Sequence, residues 1–386
     1  MKKVGVIPVR KGSKGIPNKN KKKMVGRPLF TWVLKEAIFS DLDEVYVFTD
    51  DDQIIAFIEK EYHWTNKVKG ILRGEENASD TASTEAAMLE FSEMINFDFD
   101  VICLLQATSP FTLYTDINSC VNKVAEQNYN AALTVVKTHR FTWTANEGAD
   151  NYDIYNRPRR QDFKGLLIEN GAVYCTTKND FSKSKNRISG NIATVEMPEE
   201  SLTEIDSKED WVIVEKLLAR RLKKGRQPSR ITHLVLDVDG VFTNGCITYT
   251  ADGEHTKSFD MRDGMGLEIL REDNIKVIIM TSENSALVAA RMNKLKIEDV
   301  YLGVKDKYAL IANIVKKESL DLAHIAYMGD DVNDLANLCS VGWALVPHNA
   351  TERVKPYADV LMNADSGNGA IREACEWIIR YNERFD

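Results

Sequence analysis

Two stretches of the sequence concentrate side chains that do chemistry. In the first, Arg10-Lys11-Gly12-Ser13-Lys14-Gly15-Ile16-Pro17-Asn18-Lys19-Asn20 follows the apolar run VGVIPV (4–9). Glycines let backbone amides approach phosphate oxygens, and Lys and Arg neutralise their charge, so the loop suits a phosphate-bearing anion. It is not a P-loop, because GxxxxGK[ST] is absent. Composition alone also leaves a solvated basic loop open, and Lys21-Lys22-Lys23 reads as solvated surface. In the second stretch, Asp237 and Asp239 close the run HLVLDVD (233–239). Residues two apart on a strand point to one side. Two carboxylates crowded at a strand end are costly unless a metal or a reaction uses them. Thr281-Ser282, Lys307 and Gly329-Asp330-Asp331-Val332-Asn333-Asp334 follow in order, the first and last of them at the ends of further apolar runs.

Strand-like runs must hold these residues in place. VGVIPV (4–9), EVYVFTD (44–50), DVICLLQ (100–106) and AALTVV (131–136) read as buried strands. Helix-length amphipathic stretches at 28–40, 52–62 and 81–95 separate them, the βαβ pattern of a parallel sheet. A helix at about 208–224 runs into the polar stretch KKGRQPSR (223–230), a linker candidate. A second alternation follows: HLVLDVD, KVIIMTS (276–282), HIAYMGDD (324–331) and VGWALV (341–346), with helices near 284–295, 306–317 and 368–382. The expected fold class is α/β, as two Rossmann-like domains over 1–228 and 229–386. In such sheets ligands sit at the carboxyl ends of strands, where both stretches fall.

Composition narrows the class. The 386 residues are 44% hydrophobic and 28% charged, ordinary for a globular protein and unlike disordered, collagenous or coiled-coil chains. No apolar run reaches the ~20 residues of a membrane span, and the N-terminus does not read as a signal peptide. Six scattered cysteines without CxxC, and histidines without HxH or HxxxH, argue against a disulfide framework or a zinc site. A cytoplasmic protein with reduced thiols and no membrane partner is expected. The net charge of −8 falls entirely in residues 229–386, which carry 17 basic and 25 acidic side chains. The first 35 residues hold eleven Lys/Arg and no acid, which suits an anionic ligand there. A nucleic-acid partner is not expected, since no aromatic platform accompanies the lysine run and the net charge is acidic.

The order of motifs in 1–228 resembles the CMP-sialic acid synthetases, which transfer CMP from CTP to a nonulosonic acid. It is carried by IPVRKGSKGIPNKN, Leu72-Arg73 with Ser79-Asp80-Thr81, and Leu104-Leu105-Gln106-Ala107-Thr108-Ser109-Pro110. Arg157-Pro158-Arg159-Arg160-Gln161, Asn170-Gly171-Ala172-Val173-Tyr174 and Glu204-Ile205-Asp206 complete it. The resemblance implies a nucleotidyltransferase sheet. Arg10, Ser13, Lys14, Lys19 and Asn20 would hold the triphosphate of CTP, Arg10 and Lys19 also stabilising departing pyrophosphate. Arg73, Ser79 and Asp80 would hold the cytidine. Gln106, Arg159, Asn170 and Tyr174 would line the sugar-acid pocket, Arg159 offering a fork for the carboxylate. Gln106 and Asn170 could instead satisfy loop backbone. Asp206 with Glu204 would bind Mg²⁺. Many members carry Asp where Glu204 stands; the longer side chain can ligate directly or through water. No motif histidine is placed to serve as general base.

In 229–386, DxDGxxT (Asp237–Thr243), Thr281, Lys307 and GDDVND (329–334) resemble the four motifs of haloacid-dehalogenase-type phosphatases. By that resemblance Asp237 is the nucleophile that forms an aspartyl-phosphate and Asp239 the acid and base. Thr281 and Lys307 bind the phosphoryl group. Mg²⁺ would sit at Asp237, the Val238 carbonyl and Asp330, beside Asp239, with Asp331 and Asp334 in support. The gap from Asp239 to Thr281 holds only a hairpin (246–259) and a helix, and that from Lys307 to Asp330 is shorter still, so no cap domain fits. With MRDGMGL (261–267) and SGNGAIREACEWII (366–379) this is similar to the small capless phosphatases of octulosonate 8-phosphate and nonulosonate 9-phosphate, which form tetramers. Arg372 would reach a neighbouring subunit's site, or serve as a plain surface residue. Octulosonate enzymes usually carry Arg where Glu283 stands. Glu283 with Lys294 resembles the nonulosonate type, especially for deaminated neuraminic acid (KDN); an exposed helical charge pair is the alternative.

Together the resemblances imply a bifunctional enzyme of CMP-nonulosonate biosynthesis, with Mg²⁺ in both sites and small-molecule substrates. A homo-oligomer is expected, dimeric through the first domain and tetrameric through the second. Two alternatives stay open: a cytidylyltransferase whose second domain only assembles a tetramer, and octulosonate 8-phosphate as the phosphatase substrate.

Overall fold

A computed structural model describes every residue except 14, 75–82, 146–147, 228 and 252, and the side chains of 254 and 255. In chain order the strands of the first part are β1 (Lys3–Val9), the short pair β2 (Lys23–Met24) and β3 (Arg27–Pro28), β4 (Glu44–Thr49), β5 (Val68–Leu72), β6 (Val101–Leu105), β7 (Ala131–Thr138), β8 (Leu166–Thr177) and β9 (Ile192–Met197). Its helices are α1 (Phe30–Phe39), α2 (Asp52–Glu61), α3 (Thr84–Met94), α4 (Tyr114–Ala125), α5 (Lys178–Ser184) and α6 (Lys208–Lys223). The second part holds β10 (His233–Leu236), the hairpin β11 (Thr248–Thr250) and β12 (Gly253–Thr256), β13 (Lys276–Met280), β14 (Asp299–Tyr301), β15 (Ile325–Met328), β16 (Trp343–Val346) and β17 (Val360–Leu361). Its helices are α7 (Met261–Glu272), α8 (Ala286–Lys294), α9 (Lys307–Glu318), α10 (Leu335–Ser340) and α11 (Ala370–Asn382).

The described chain forms two compact units, one of residues 1–22 and 28–214, the other of 23–27 and 215–386. The sequence places the division in the polar stretch after α6; by compactness it falls inside that helix. The physical reason is local. Lys223 donates to the Tyr357 carbonyl at 2.7 Å, and Arg226 to Asp359 and the Leu338 carbonyl, both at 2.6 Å, so the helix end is anchored in the second unit.

Unit 1 is built on a seven-stranded sheet in the order β5-β4-β1-β6-β8-β7-β9. Strands β5, β4, β1 and β6 run parallel, as the alternating pattern requires. The expectation of a parallel sheet fails beyond them, because β8 is antiparallel to both β6 and β7. Among the described residues between β7 and β8 there is no helix long enough for a crossover, so the chain returns as an antiparallel partner. β6 is buried along its whole length, which is why it reads as a continuous apolar run, whereas β5 and β9 are half-exposed and carry polar residues that hide them. Side-chain caps start the helices near the site: Asp51 accepts from Gln53 N–H at α2, and Ser83 from Ala86 N–H at α3. Val4, Val6, Phe48, Phe91, Ile102 and Leu104 are central to the core between sheet and helices.

Unit 2 has a six-stranded parallel sheet, β14-β13-β10-β15-β16-β17. Leu234, Leu236, Ile279, Met328, Leu345 and Ile378 lie in one apolar cluster around it. The hairpin β11–β12 stands apart as a two-stranded sheet. In both large sheets the chain leaves the central strand to one side and returns on the other: β1 lies between β4 and β6, and β10 between β13 and β15. A crevice opens at the carboxyl ends of strands at each such switch point.

Candidate active sites

In unit 1 the loop after β1 and the loop after β6 meet at the switch point. They enclose a cavity of about 320 Å³ lined by Arg10, Ser13, Lys19, Asn20, Arg73 and Gln106, among others. These six come from three separate sequence motifs. The basic loop is held from within: Asn20 donates to the Arg10 carbonyl at 3.2 Å, and Lys11 N–H to Asp50 at 2.7 Å. Gly15 is required by a close approach, since a Cβ there would stand 2.2 Å from the Asp206 carbonyl oxygen. Lys19 reaches the same segment, donating to the Ile205 carbonyl at 2.5 Å and pairing with Asp206 at 3.3 Å. The Glu204-Ile205-Asp206 stretch is thereby drawn to the phosphate-type loop. Burial lowers the Arg73 guanidinium from its ordinary value while Asp50 and Glu90 raise it; its backbone N–H is tied to Thr49.

The other predicted residues of this unit are placed differently. Asn170 is buried and satisfied internally, accepting from Thr134 at 2.7 Å and donating to Ser201 at 3.0 Å. Tyr174 is buried and donates to Glu169 at 3.0 Å; burial, then that carboxylate, pushes its hydroxyl up to about 12. Arg159 is exposed on the loop between β7 and β8. Lys14, Ser79 and Asp80 lie outside the described residues. Of the lysine run, Lys22 and Lys23 are exposed, Lys22 lying over Trp211 at 4.4 Å, whereas Lys21 is half-buried and pairs with buried Asp51 at 2.6 Å.

In unit 2 the loops after β10 and β15 form the corresponding crevice. Asp237 follows β10, and its N–H donates to the Met328 carbonyl, which locks the two strand ends together. Lys307, the first residue of α9, is fully buried and lies 2.8 Å from both Asp237 and Asp334. Tyr327 donates to Asp334 at 2.6 Å. Burial works against the Lys307 ammonium, but Asp237 and then Asp334 outweigh it and raise its pKa. Burial, with Asp334 adding to it, raises Asp237 above the usual carboxylate range against the pull of Lys307. Burial, followed by Asp334 and Asp237, pushes Asp330 up to about 8.

Asp237, Asp330 and Asp334 present carboxylate oxygens all within 4.8 Å of one another. Such an all-oxygen donor set, with two of its carboxyls lifted by burial and by neighbouring carboxylates, fits a hard divalent cation. Asp239, which the resemblance set beside the cation, is not one of these three: both of its oxygens accept from Lys257, at 2.7 and 2.9 Å, and Thr243 donates to it at 3.4 Å. Lys257 is buried at the foot of the β12 strand and had no signal in the sequence beyond a lone Lys in a polar hairpin. Gly240 has φ +84°, and a Cβ there would stand 2.0 Å from an Asp330 oxygen, so any other residue is strained here and displaces the Asp330 carboxylate.

Thr281 follows β13, buried, with its hydroxyl accepting from Glu283 N–H at 3.3 Å. Glu283 is exposed and precedes α8, pairing with Lys305 at 3.3 Å. The alternative of a helical Glu283–Lys294 pair is thereby overturned, because only Lys294 is on the helix. Arg372, on α11, donates to Glu376 at 2.7 Å, one turn along its own helix.

Residues 4–180 match the Cytidylyltransferase family. N-acylneuraminate cytidylyltransferase B of Danio rerio is 33% identical over 97% of this chain and 89% of its own length. The chain belongs to the N-acylneuraminate cytidylyltransferase family. The 3-deoxy-D-manno-octulosonate 8-phosphate phosphatase of Salmonella typhi is 33% identical over 40% of this chain and 81% of its own length. A crystal structure of the Moraxella catarrhalis phosphatase of that name, in complex with magnesium, phosphate and KDO, is 33% identical over 44% of this chain and 93% of that one, with a TM-score of 0.39. This family member therefore joins a cytidylyltransferase to a haloacid-dehalogenase-type phosphatase, and both relatives are enzymes. Among the described residues no helix is long and apolar enough to cross a membrane.

Proposed function

We propose that the chain catalyses consecutive steps: hydrolysis of a nonulosonate 9-phosphate in unit 2, then transfer of CMP from CTP to the freed sugar acid in unit 1. The observation that carries this reading is the Asp237–Lys307–Asp334 cluster with Asp330 beside it. A domain used only for assembly has no need of three crowded carboxylates around a buried lysine, an arrangement that costs folding free energy unless chemistry uses it.

In the phosphatase half, a carboxylate oxygen of Asp237 attacks phosphorus and the bond to the sugar oxygen breaks. Asp239 gives that oxygen a proton. Asp239 then takes a proton from water, whose oxygen attacks the aspartyl-phosphate and releases phosphate and free Asp237. Asp237, Asp330 and Asp334 would hold Mg²⁺, which offsets phosphoryl charge when bound. Lys307 and Thr281 hold the phosphoryl oxygens, and Glu283, exposed just after Thr281, selects the sugar.

In unit 1 the anomeric hydroxyl attacks the α-phosphorus of CTP and pyrophosphate leaves. Arg10, Ser13, Lys19 and Asn20 hold the triphosphate, Arg73 the cytidine and Gln106 the sugar acid, so catalysis is mainly positioning and charge neutralisation. Asp206, with Glu204, would hold a second Mg²⁺, which would offset triphosphate charge when bound. The nonulosonate is of the sialic acid or deaminated type, the location cytoplasmic and the protein a homo-oligomer.

The test offers the intact protein sialic acid and KDN 9-phosphates, with octulosonate 8-phosphate alongside, in Mg²⁺, and each free acid with CTP. Asp237→Asn is expected to abolish phosphate release and spare CMP transfer, and Arg10→Ala the converse. Loss of both activities in either folded variant refutes two independent sites; no phosphate release by the parent chain refutes the phosphatase half.

A further inference from the structure

Residues 23–27 are N-terminal in sequence but fold with unit 2. Three observations show how firmly. Val25 N–H donates to Glu215 at 2.9 Å. The turn holds Val25 at φ +47°, a conformation a β-branched residue keeps only where its surroundings impose it. Gly26, at φ +81°, lies so close to the 329–334 loop that a Cβ would stand 2.2 Å from the Val332 carbonyl oxygen.

The segment ends on Arg27, whose side chain is 2% exposed and whose guanidinium bonds both oxygens of Asp306, each at 2.8 Å. Asp306, itself 1% exposed, is the N-cap of α9 and accepts from Ala309 N–H at 3.3 Å. The guanidinium also lies over the Tyr308 ring, 4.6 Å from its centre. Arg27 therefore grips the residues on both sides of Lys307, the lysine that spans Asp237 and Asp334. A planar fork on a carboxylate sets direction as well as distance, which a single-point cation does not.

We infer that Arg27 is a positioning residue for the phosphatase reaction, fixing the first turn of α9 so that Lys307 holds the Asp237 carboxylate and the phosphoryl group in register. This rests on the phosphatase reading above. Segment 23–27 is then a working part of the phosphatase unit, supplied from the cytidylyltransferase end of the sequence.

The test uses the full chain as Arg27→Gln, Arg27→Lys and Asp306→Asn. Phosphate release from KDN 9-phosphate and CMP transfer from CTP are measured on the same preparations, with cooperative unfolding as the fold control. The expected result is a tenfold or greater fall in phosphatase kcat for Arg27→Gln and Asp306→Asn, with KM changed less than threefold. Arg27→Lys should recover part of the loss, and CMP transfer should stay within twofold of the parent. Should Arg27→Gln fail to unfold cooperatively, the other two carry the comparison. Phosphatase kcat within twofold of the parent in folded variants, or equal loss of both activities, overturns the inference while the phosphatase reading stands. A parent chain that releases no phosphate overturns both.

Discussion

Gly240→Ala isolates the geometry of the phosphatase crevice. Two costs add at this position. The φ of +84° puts an L-residue in the left-handed region, worth roughly 1–2 kcal/mol. The new Cβ would also stand 2.0 Å from one Asp330 oxygen and 2.4 Å from its carboxyl carbon, so that carboxylate must move by more than ~1 Å. Asp330 shares its cluster with Asp237 and Asp334, and a shift of that size at reacting groups costs on the order of 100-fold. The expected outcome is a 100-fold or greater loss of phosphate release and a weaker requirement-saturating response to Mg²⁺, with CMP transfer unchanged. Gly245→Ala is the control. It has a φ of +77°, but its Cβ would meet nothing closer than Gly240 at 3.9 Å, so it carries the backbone strain without the displaced carboxylate. It should lose stability by the same ~1–2 kcal/mol and keep most of its phosphatase activity. The assay is phosphate release against Mg²⁺ concentration, beside urea unfolding. Full activity in Gly240→Ala, or equal losses in the two variants, would refute the reasoning that Asp330 must stay where the glycine lets it.

Gly15→Ala should do the reverse. Its Cβ would meet the Asp206 carbonyl at 2.2 Å, so CMP transfer is expected to fall at least tenfold while phosphate release persists; unchanged transfer in a CTP titration would disconnect Asp206 from the site. Asp263, fully buried, is lifted by burial to about 6 while the Arg372 N–H donates to it. Its unfolded value is about 3.9, so the folded state binds more protons between these values and its contribution to stability falls as pH rises from ~4 to ~6, then stays constant. Parent minus Asp263→Asn unfolding free energy should therefore drop by ~2–3 kcal/mol across that window and flatten above it. A flat difference from pH 4 to 8 would show that the carboxyl does not titrate as its burial requires.

Much of the architecture is local in origin and therefore readable in the chain. Buried strands such as β1, β6 and β10 are short apolar runs, and the helices between them carry Ser or Asp caps and an apolar face. Motif chemistry is also local: a basic glycine loop after one strand, and Asp237 and Asp239 after another, announce phosphate and carboxylate chemistry wherever the chain later folds. Polar or half-exposed strands escaped, because β5, β8 and β9 owe their place to neighbours in the sheet rather than to their own composition.

Pairings across long sequence distances belong to the tertiary structure alone. Which cation answers Asp239 was decided by a hairpin that brings Lys257 under it, and Glu283 met Lys305 because the loops after β13 and β14 adjoin. Asp334 joined Asp237 and Lys307 when the switch point set β10 beside β15. Arg27 and Asp306 stand 279 positions apart, and no periodicity links them. A buried guanidinium is tolerable only with a partner, yet partner choice depends on which surfaces close on each other, and that is a property of the folded chain.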